Sequence, residues 1–248
     1  MLKSLLKKIV VFLLILEARL VLFRFHPKIV AVTGSVGKTT TKDMLAAVLL
    51  KKFTVRKSPK SFNSDIGIPL AILGIEKSEW GSFFGWSQVL LKGCVTLVCT
   101  NTYPEWLVLE VGADRPGDIS RIARWLSPDC VVVTRFGETP VHLEFFPSRE
   151  ALIREKASLV HALKKDGVLV INADDPDVYA LKDISPARVI AYGASERALF
   201  RFSYAAISYK NGFPDGVMAK IEFRGKMLPL FLRGTIGLHY VSSALAAF

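Results

Sequence analysis

The sequence predicts an α/β fold, a doubly wound and mostly parallel sheet with a small antiparallel β appendage and a helix at its amino end. Three observations carry that prediction. A strand–glycine turn–helix unit occupies residues 28–50, with Val32-Thr33-Gly34-Ser35-Val36-Gly37-Lys38-Thr39-Thr40 at its centre. Apolar strand-like runs then alternate with helical stretches over residues 106–192, the rhythm that builds a parallel sheet covered on both faces. From about residue 200 the alternation gives way to three strand-like runs joined by Asn211-Gly212 and Arg224-Gly225, which read as hairpin turns.

Length and composition set the outer bounds. The 248 residues, 51% hydrophobic, suffice for a sizeable core in one large or two small domains and exclude a disordered chain. Lys and Arg number 33 against 22 Asp and Glu, a formal charge of +11 that suits phosphorylated ligands, nucleic acid or an anionic membrane face. No arginine-rich tract or basic stripe interleaved with aromatics is present, so nucleic acid is not expected as a partner. Cys94, Cys99 and Cys130 lack metal-ligand spacing and read as reduced side chains packed like small apolar groups, in keeping with a cytoplasmic setting.

Residues 1–26 read as a basic, apolar helix. Residues 9–16 form an uninterrupted apolar run too short to span a bilayer, and no small-residue cleavage site follows it. Six basic residues and one acid fall within the first 28 positions. Two readings stay open at this point: a helix lying peripherally on the inner membrane surface, or one packing its apolar side on the domain behind it.

The second region, 27–248, starts with the strand at 28–32. A strand, a glycine turn and a helix N-terminus in that order make an anion cradle, in which backbone N–H groups and the helix dipole face phosphates. Gly34, Ser35, Val36, Gly37, Lys38, Thr39 and Thr40 are the candidate nucleotide contacts. The full phosphate-loop pattern has one more glycine, two residues before Gly34, where Val32 stands. After it come a strand at 53–56, a polar loop at 57–65, a short buried helix at 67–73 and an apolar helix at 80–100. The βα rhythm then gives strands at 106–111, 129–134, 168–172 and 188–192, with helices at 116–126, 148–163 and 177–182 between them. Gly34, Glu110, Thr134 and Asn172 all fall at the carboxyl ends of strands, where such sheets bind ligands. Glu110 is placed to hold Mg²⁺ directly or through water. The appendage takes 202–209, 217–223 and 227–232. An apolar helix begins at 237 and runs to 248 without a cap, so the chain is expected to be a fragment of a longer protein.

Other candidates are ambiguous alone. A loop histidine such as His142 is ordinarily solvated, Lys156 could be an exposed lysine covering the sheet, and Asn172 could cap the helix after it. The ordered set resembles the central domain of the Mur ligase family: residues 33–42, Asn63-Ser64-Asp65-Ile66-Gly67-Ile68-Pro69-Leu70, residues 110–119, His142-Leu143-Glu144, Glu155-Lys156-Ala157 and Asn172-Ala173-Asp174-Asp175. The detail is similar to the branch that adds D-Ala-D-Ala to a UDP-linked muramoyl-peptide. The resemblance implies an ATP-dependent amide-forming ligase of peptidoglycan precursor synthesis, hence of cell-wall biogenesis, cell shape and division, acting as a cytoplasmic monomer on those small-molecule substrates. ATP would phosphorylate a carboxylate, and an amine would displace phosphate from the acyl phosphate. Lys38 would hold the β- and γ-phosphates, Thr39 and Glu110 one Mg²⁺, and His142 a second Mg²⁺. Lys156 matches a lysine carbamylated in the family and could help hold that second metal; Asn63, Asn172 and His239 would lie near the nucleotide. The chain departs from the family at Asn63-Ser64, usually paired asparagines, and at Tyr240 and Ser243, usually asparagines. The family's UDP-sugar-gripping domain and its closing C-terminal domain have no counterpart within these residues. A folylpolyglutamate- or cyanophycin-type ligase, or a membrane-surface nucleotide-binding module without ligase activity of its own, are the other readings.

Overall fold

The computed structural model describes residues 2–59, 62–76, 83–137 and 143–248. Among them, six short strands carry the parallel part of the fold: β1 (Lys28–Thr33), β2 (Val55–Lys57), β3 (Trp106–Glu110), β4 (Cys130–Val133), β5 (Val168–Asn172) and β6 (Arg188–Gly193). Three longer strands follow, β7 (Phe200–Lys210), β8 (Phe213–Phe223) and β9 (Lys226–Arg233). All nine join one sheet in the order β2-β3-β1-β4-β5-β6-β7-β8-β9. The central strands are almost continuously apolar, KIVAVT, WLVLE and CVVV, because both of their faces are covered. Register keeps their ends level: Val32 lies beside Glu110 on one side and Val132 on the other.

Strand alternation sorts the core into two layers. Ile29, Ala31, Leu107, Leu109, Val131 and Val133 face the larger layer. It is covered by α1 (Leu2–Phe25), α3 (Gly67–Leu73), α4 (Phe83–Cys99), α5 (Asp118–Ala123), α6 (Arg149–His161) and α7 (Pro176–Tyr179). Val30, Val32, Val108 and Val132 face the other layer, where α2 (Lys38–Leu49) and α8 (His239–Leu245) supply Leu45, Ala46, Val241 and Leu245. Helices thus cover both faces, as the sequence predicts. Each fully buried Val or Leu contributes about 1.5–3 kcal/mol of hydrophobic stabilisation, and that burial holds the short parallel strands together.

The antiparallel strands are hydrogen-bonded to the main sheet rather than standing apart from it. β6 and β7 run parallel for one step, with Tyr192 beside Phe200 and Gly193 beside Arg201. The hairpin turns fall where expected: Asn211 and Gly212 have φ of 52° and 80°, Arg224 and Gly225 of 50° and 72°. Positive φ at both positions is the twist a two-residue hairpin needs.

Helix α1 packs one side against α3 and α4, burying Val10, Leu14, Ala18 and Val21 in the larger layer. No described helix is long and apolar enough to cross a membrane. Residues 77–82, at the start of the helix expected from position 80, lie outside the described residues. The cysteine expectation needs correcting. All three are free thiols, but Cys94 and Cys99 are exposed on α4 and only Cys130 is largely covered. Cys94 sits at the margin of the α1–α4 contact, where its thiol meets the Glu17 carboxylate and is still exposed.

Candidate active site

The turn after β1 is built by two glycines in conformations other residues rarely adopt. Gly34 has φ 142°, and a Cβ there would collide with Thr134 Oγ1. Gly37, at φ 84°, sits at the N-cap of α2, so the first turn of that helix points its N–H groups across the loop. The loop is tied to the end of β4: the Ser35 and Val36 N–H groups donate to the Arg135 carbonyl at 2.6 and 3.3 Å, and Thr134 Oγ1 donates to the Val36 carbonyl at 2.7 Å. Lys38 Nζ folds back toward the Ser35 carbonyl, 3.4 Å away. Burial lowers its pKa, against the opposing pull of the Glu110 and Asp114 carboxylates. Two buried hydroxyls of this segment, Ser35 Oγ and Thr41 Oγ1, have no hydrogen-bond partner among the described residues. Orphaned polar atoms at a helix N-terminus suit a ligand rich in acceptor oxygens.

At the end of β3, Glu110 is buried and held from three sides. Thr39 Oγ1 donates to its Oε2 at 2.8 Å, Lys42 Nζ approaches the same oxygen at 3.8 Å, and its own N–H donates to Ser58 Oγ at 3.0 Å. Lys42 is fully buried and donates to the Ser58 carbonyl at 2.9 Å. A hydroxyl and a carboxylate oxygen side by side beside a phosphate cradle make a hard, oxygen-only ligand pair. That chemistry fits Mg²⁺, which takes one or two protein oxygens and completes its shell with phosphate and water. Among the described residues no cluster of three or more His, Cys, Asp or Glu forms an all-protein metal cage.

A recess of about 50 Å³ is lined by Gly34, Ser35, Lys38, Asn63, Asp114 and Lys156, among others. Its size suits a phosphate group or an ion with its water, not a nucleoside. Lys156 reaches it from α6, a helix capped by Ser148, whose Oγ accepts from the Ala151 N–H at 3.2 Å. The neighbouring Glu155 accepts from the Ser120 N–H of α5 at 2.9 Å. Lys156 Nζ donates to the Gly34 carbonyl at 3.0 Å and is only 3% exposed. Its pKa is pushed down to about 7, first by burial and then by the Lys38 ammonium, with Asp114 and Glu155 opposing.

On the other side of the loop is a larger cavity of about 370 Å³, lined by Val36, Gly37, Thr40, Asn172 and His239 among others. Asn172 ends β5 and accepts from the Asp174 N–H at 2.9 Å. The helix cap is Asp175, which accepts from the Asp177 and Val178 N–H groups. Asn172 therefore does not cap α7. His239 opens α8, its ring 4.3 Å from that of Tyr240.

The structure brings Gly34, Ser35, Lys38, Asn63 and Lys156 around one recess, bonds Thr39 to Glu110, and sets Val36, Gly37, Thr40, Asn172 and His239 around the adjoining cavity. His142 lies outside the described residues. Sequence reasoning missed Lys42, Ser58 and Asp114. The signal for Lys42 was a second lysine one helical turn after Lys38, on the side of α2 that turns inward.

The sequence matches the Mur ligase middle domain over residues 32–84 and 95–248. It is 36% identical over 162 residues to the UDP-N-acetylmuramoyl-tripeptide–D-alanyl-D-alanine ligase of Mycobacterium leprae and 35% identical over 149 residues to that of Bacillus subtilis. These matches take in 65% and 60% of this chain, which spans about a quarter of each relative, 26% and 27%. Among solved structures, the MurF ligase of Thermotoga maritima in complex with ADP superimposes with a TM-score of 0.74 at 28% identity, over 96% of this chain and 48% of that one. A MurF structure from Acinetobacter baumannii shares the fold, with a TM-score of 0.71 at 20% identity over 93% of this chain and 44% of the other.

Proposed function

The chain belongs to the Mur ligase family through its middle domain, and from that membership we propose that it is the ATP-binding part of an amide-forming ligase of peptidoglycan precursor synthesis. The observation that carries the proposal is the convergence of Lys38, the Thr39–Glu110 pair and Lys156 on one rim of the sheet. In this reading residues 27–248 form the nucleotide-binding unit behind the helix of residues 1–26. It works as a cytoplasmic monomer on a UDP-linked muramoyl-peptide and D-Ala-D-Ala, the pair named for its relatives.

The N–H groups of the first turn of α2 and Lys38 hold the β- and γ-phosphates of ATP, and the cavity beside Asn172 and His239 takes the nucleoside. Thr39 and Glu110 would hold Mg²⁺, which when bound neutralises phosphate charge. The substrate carboxylate attacks the γ-phosphorus and ADP leaves; the incoming amine then attacks the acyl phosphate and inorganic phosphate leaves. Such chemistry needs charge neutralisation and alignment more than covalent help. Lys156 enters as a carbamate: a neutral amine adds CO₂ and releases one proton, giving an anion. An amine with a pKa of about 7 is about half neutral near pH 7, far more than an ordinary lysine, which supports that role. By the resemblance, His142 and the carbamate on Lys156 would hold a second Mg²⁺.

The test is phosphate release from ATP with neither, one or both of UDP-muramoyl-tripeptide and D-Ala-D-Ala. Release that depends on both supports the ligase. ATP bound tightly with no turnover under any combination supports a binding module instead, and failure to bind ATP removes the proposal.

A further inference from the structure

Helix α1 is apolar on two sides, and only one of them is used by the core. Opposite the buried Val10, Leu14, Ala18 and Val21 runs a stripe of exposed Ile9, Phe12, Leu16, Leu20 and Phe23. Its steps of three and four residues place all five on one face. Phe12 and Phe23 are 65% and 75% exposed. The adjoining α4 adds a second stripe, Leu91, Val95 and Val98, with Leu91 and Val98 65% and 68% exposed. The two helices are fixed to each other, in part by Arg24, whose guanidinium donates to the Leu97 carbonyl. Scattered exposed apolar residues are ordinary; eight on two packed helices mark an interaction surface.

Charge identifies the partner. Lys7, Lys8, Arg19 and Lys92 are exposed on these helices. The one carboxylate in either helix, Glu17, is turned inward, buried against Gly93 and Cys94. A second copy meeting this face would set cations against cations. An anionic lipid surface takes both components, acyl chains against the stripe and headgroups against the lysines and arginines.

We propose that α1 and α4 together form a monotopic docking face for an anionic membrane, lying in the interface without crossing it. This does not rest on the ligase reading. The test is flotation of the 248-residue chain with phosphatidylcholine vesicles that contain or lack phosphatidylglycerol. The chain floats with the anionic vesicles, stays behind with the neutral ones, and binds less as salt is raised. Phe12→Glu and Leu91→Glu each weaken partitioning about tenfold or more, and Lys7→Gln with Lys8→Gln, which leaves the apolar stripes and the core intact, weakens it too. Circular dichroism melting controls for folding. Any of three results overturns the proposal: no flotation, equal flotation with neutral vesicles, or a solution dimer that Phe12→Glu dissociates.

Discussion

Replacing Lys38 with Met removes the like charge that helps lower the pKa of Lys156 and should raise it, while burial still keeps it below 10.5. In the unsubstituted chain the amine titrates near pH 7. At pH 8 it is then about 90% neutral, against about 0.3% for an ordinary lysine, roughly a 300-fold gain in the form that reacts with CO₂. Heteronuclear NMR of ¹³C-labelled lysine side chains reads this directly. One resonance should move with a midpoint near 7 and vanish in Lys156→Met, and ¹³C-bicarbonate should give one carbamate signal absent from the same variant. Stability must follow. Between pH 7 and 10.5 the unfolded chain holds the Lys156 proton and the folded chain does not, so this group makes stability rise with pH, by at most about 1.4 kcal/mol per pH unit. Lys156→Met removes that rise. Every lysine titrating above pH 10, or a midpoint unmoved by Lys38→Met, would refute the reasoning.

Thr39→Val deletes the hydroxyl bonded to Glu110, so the strengthening of ADP binding by Mg²⁺, measured by calorimetry with and without the ion, should fall about tenfold while metal-free binding changes little. Burial raises the Glu17 pKa, with the Cys94 contact opposing; the folded state therefore favours the protonated acid, and stability is lost as pH climbs through the raised value. Glu17→Gln should lift Tm at pH 8 and leave it nearly unchanged at pH 4. Leu14, fully buried in the larger layer, should cost about 2–5 kcal/mol on replacement by Ala, seen as a lower denaturant midpoint with an unchanged m-value.

The nucleotide loop was legible because its residues have few alternative uses. Gly34 and Gly37 occupy backbone conformations that side chains strain, and a lysine opening a helix there has anions to meet. The short helix at Gly67–Leu73 was equally plain, apolar throughout and stopped by Gly74 at φ 75°. What local pattern could not convey was placement across the sheet. Nothing in Tyr192 or Phe200 says that β7 hydrogen-bonds to β6, since that contact joins residues across a turn. Lys42 reads as a solvated helix lysine until Ser58 and Glu110, from two other strand ends, close around it. Asn172 and Asp175 compete as caps for one helix, and only the positions of the Asp177 and Val178 N–H groups decide between them. Cys94 and Cys99 were misread because a continuous apolar run does not reveal which side of a helix has neighbours.

Titration of the chain with ATP and Mg²⁺, beside Lys38→Ala and Lys156→Ala, probes the shared phosphate rim most directly. Binding should be lost, or weakened about a hundredfold, in Lys38→Ala and stay within about threefold in Lys156→Ala, a separation of more than 1.4 kcal/mol. Equal affinities in all three proteins, or equal losses in both variants, contradict the account.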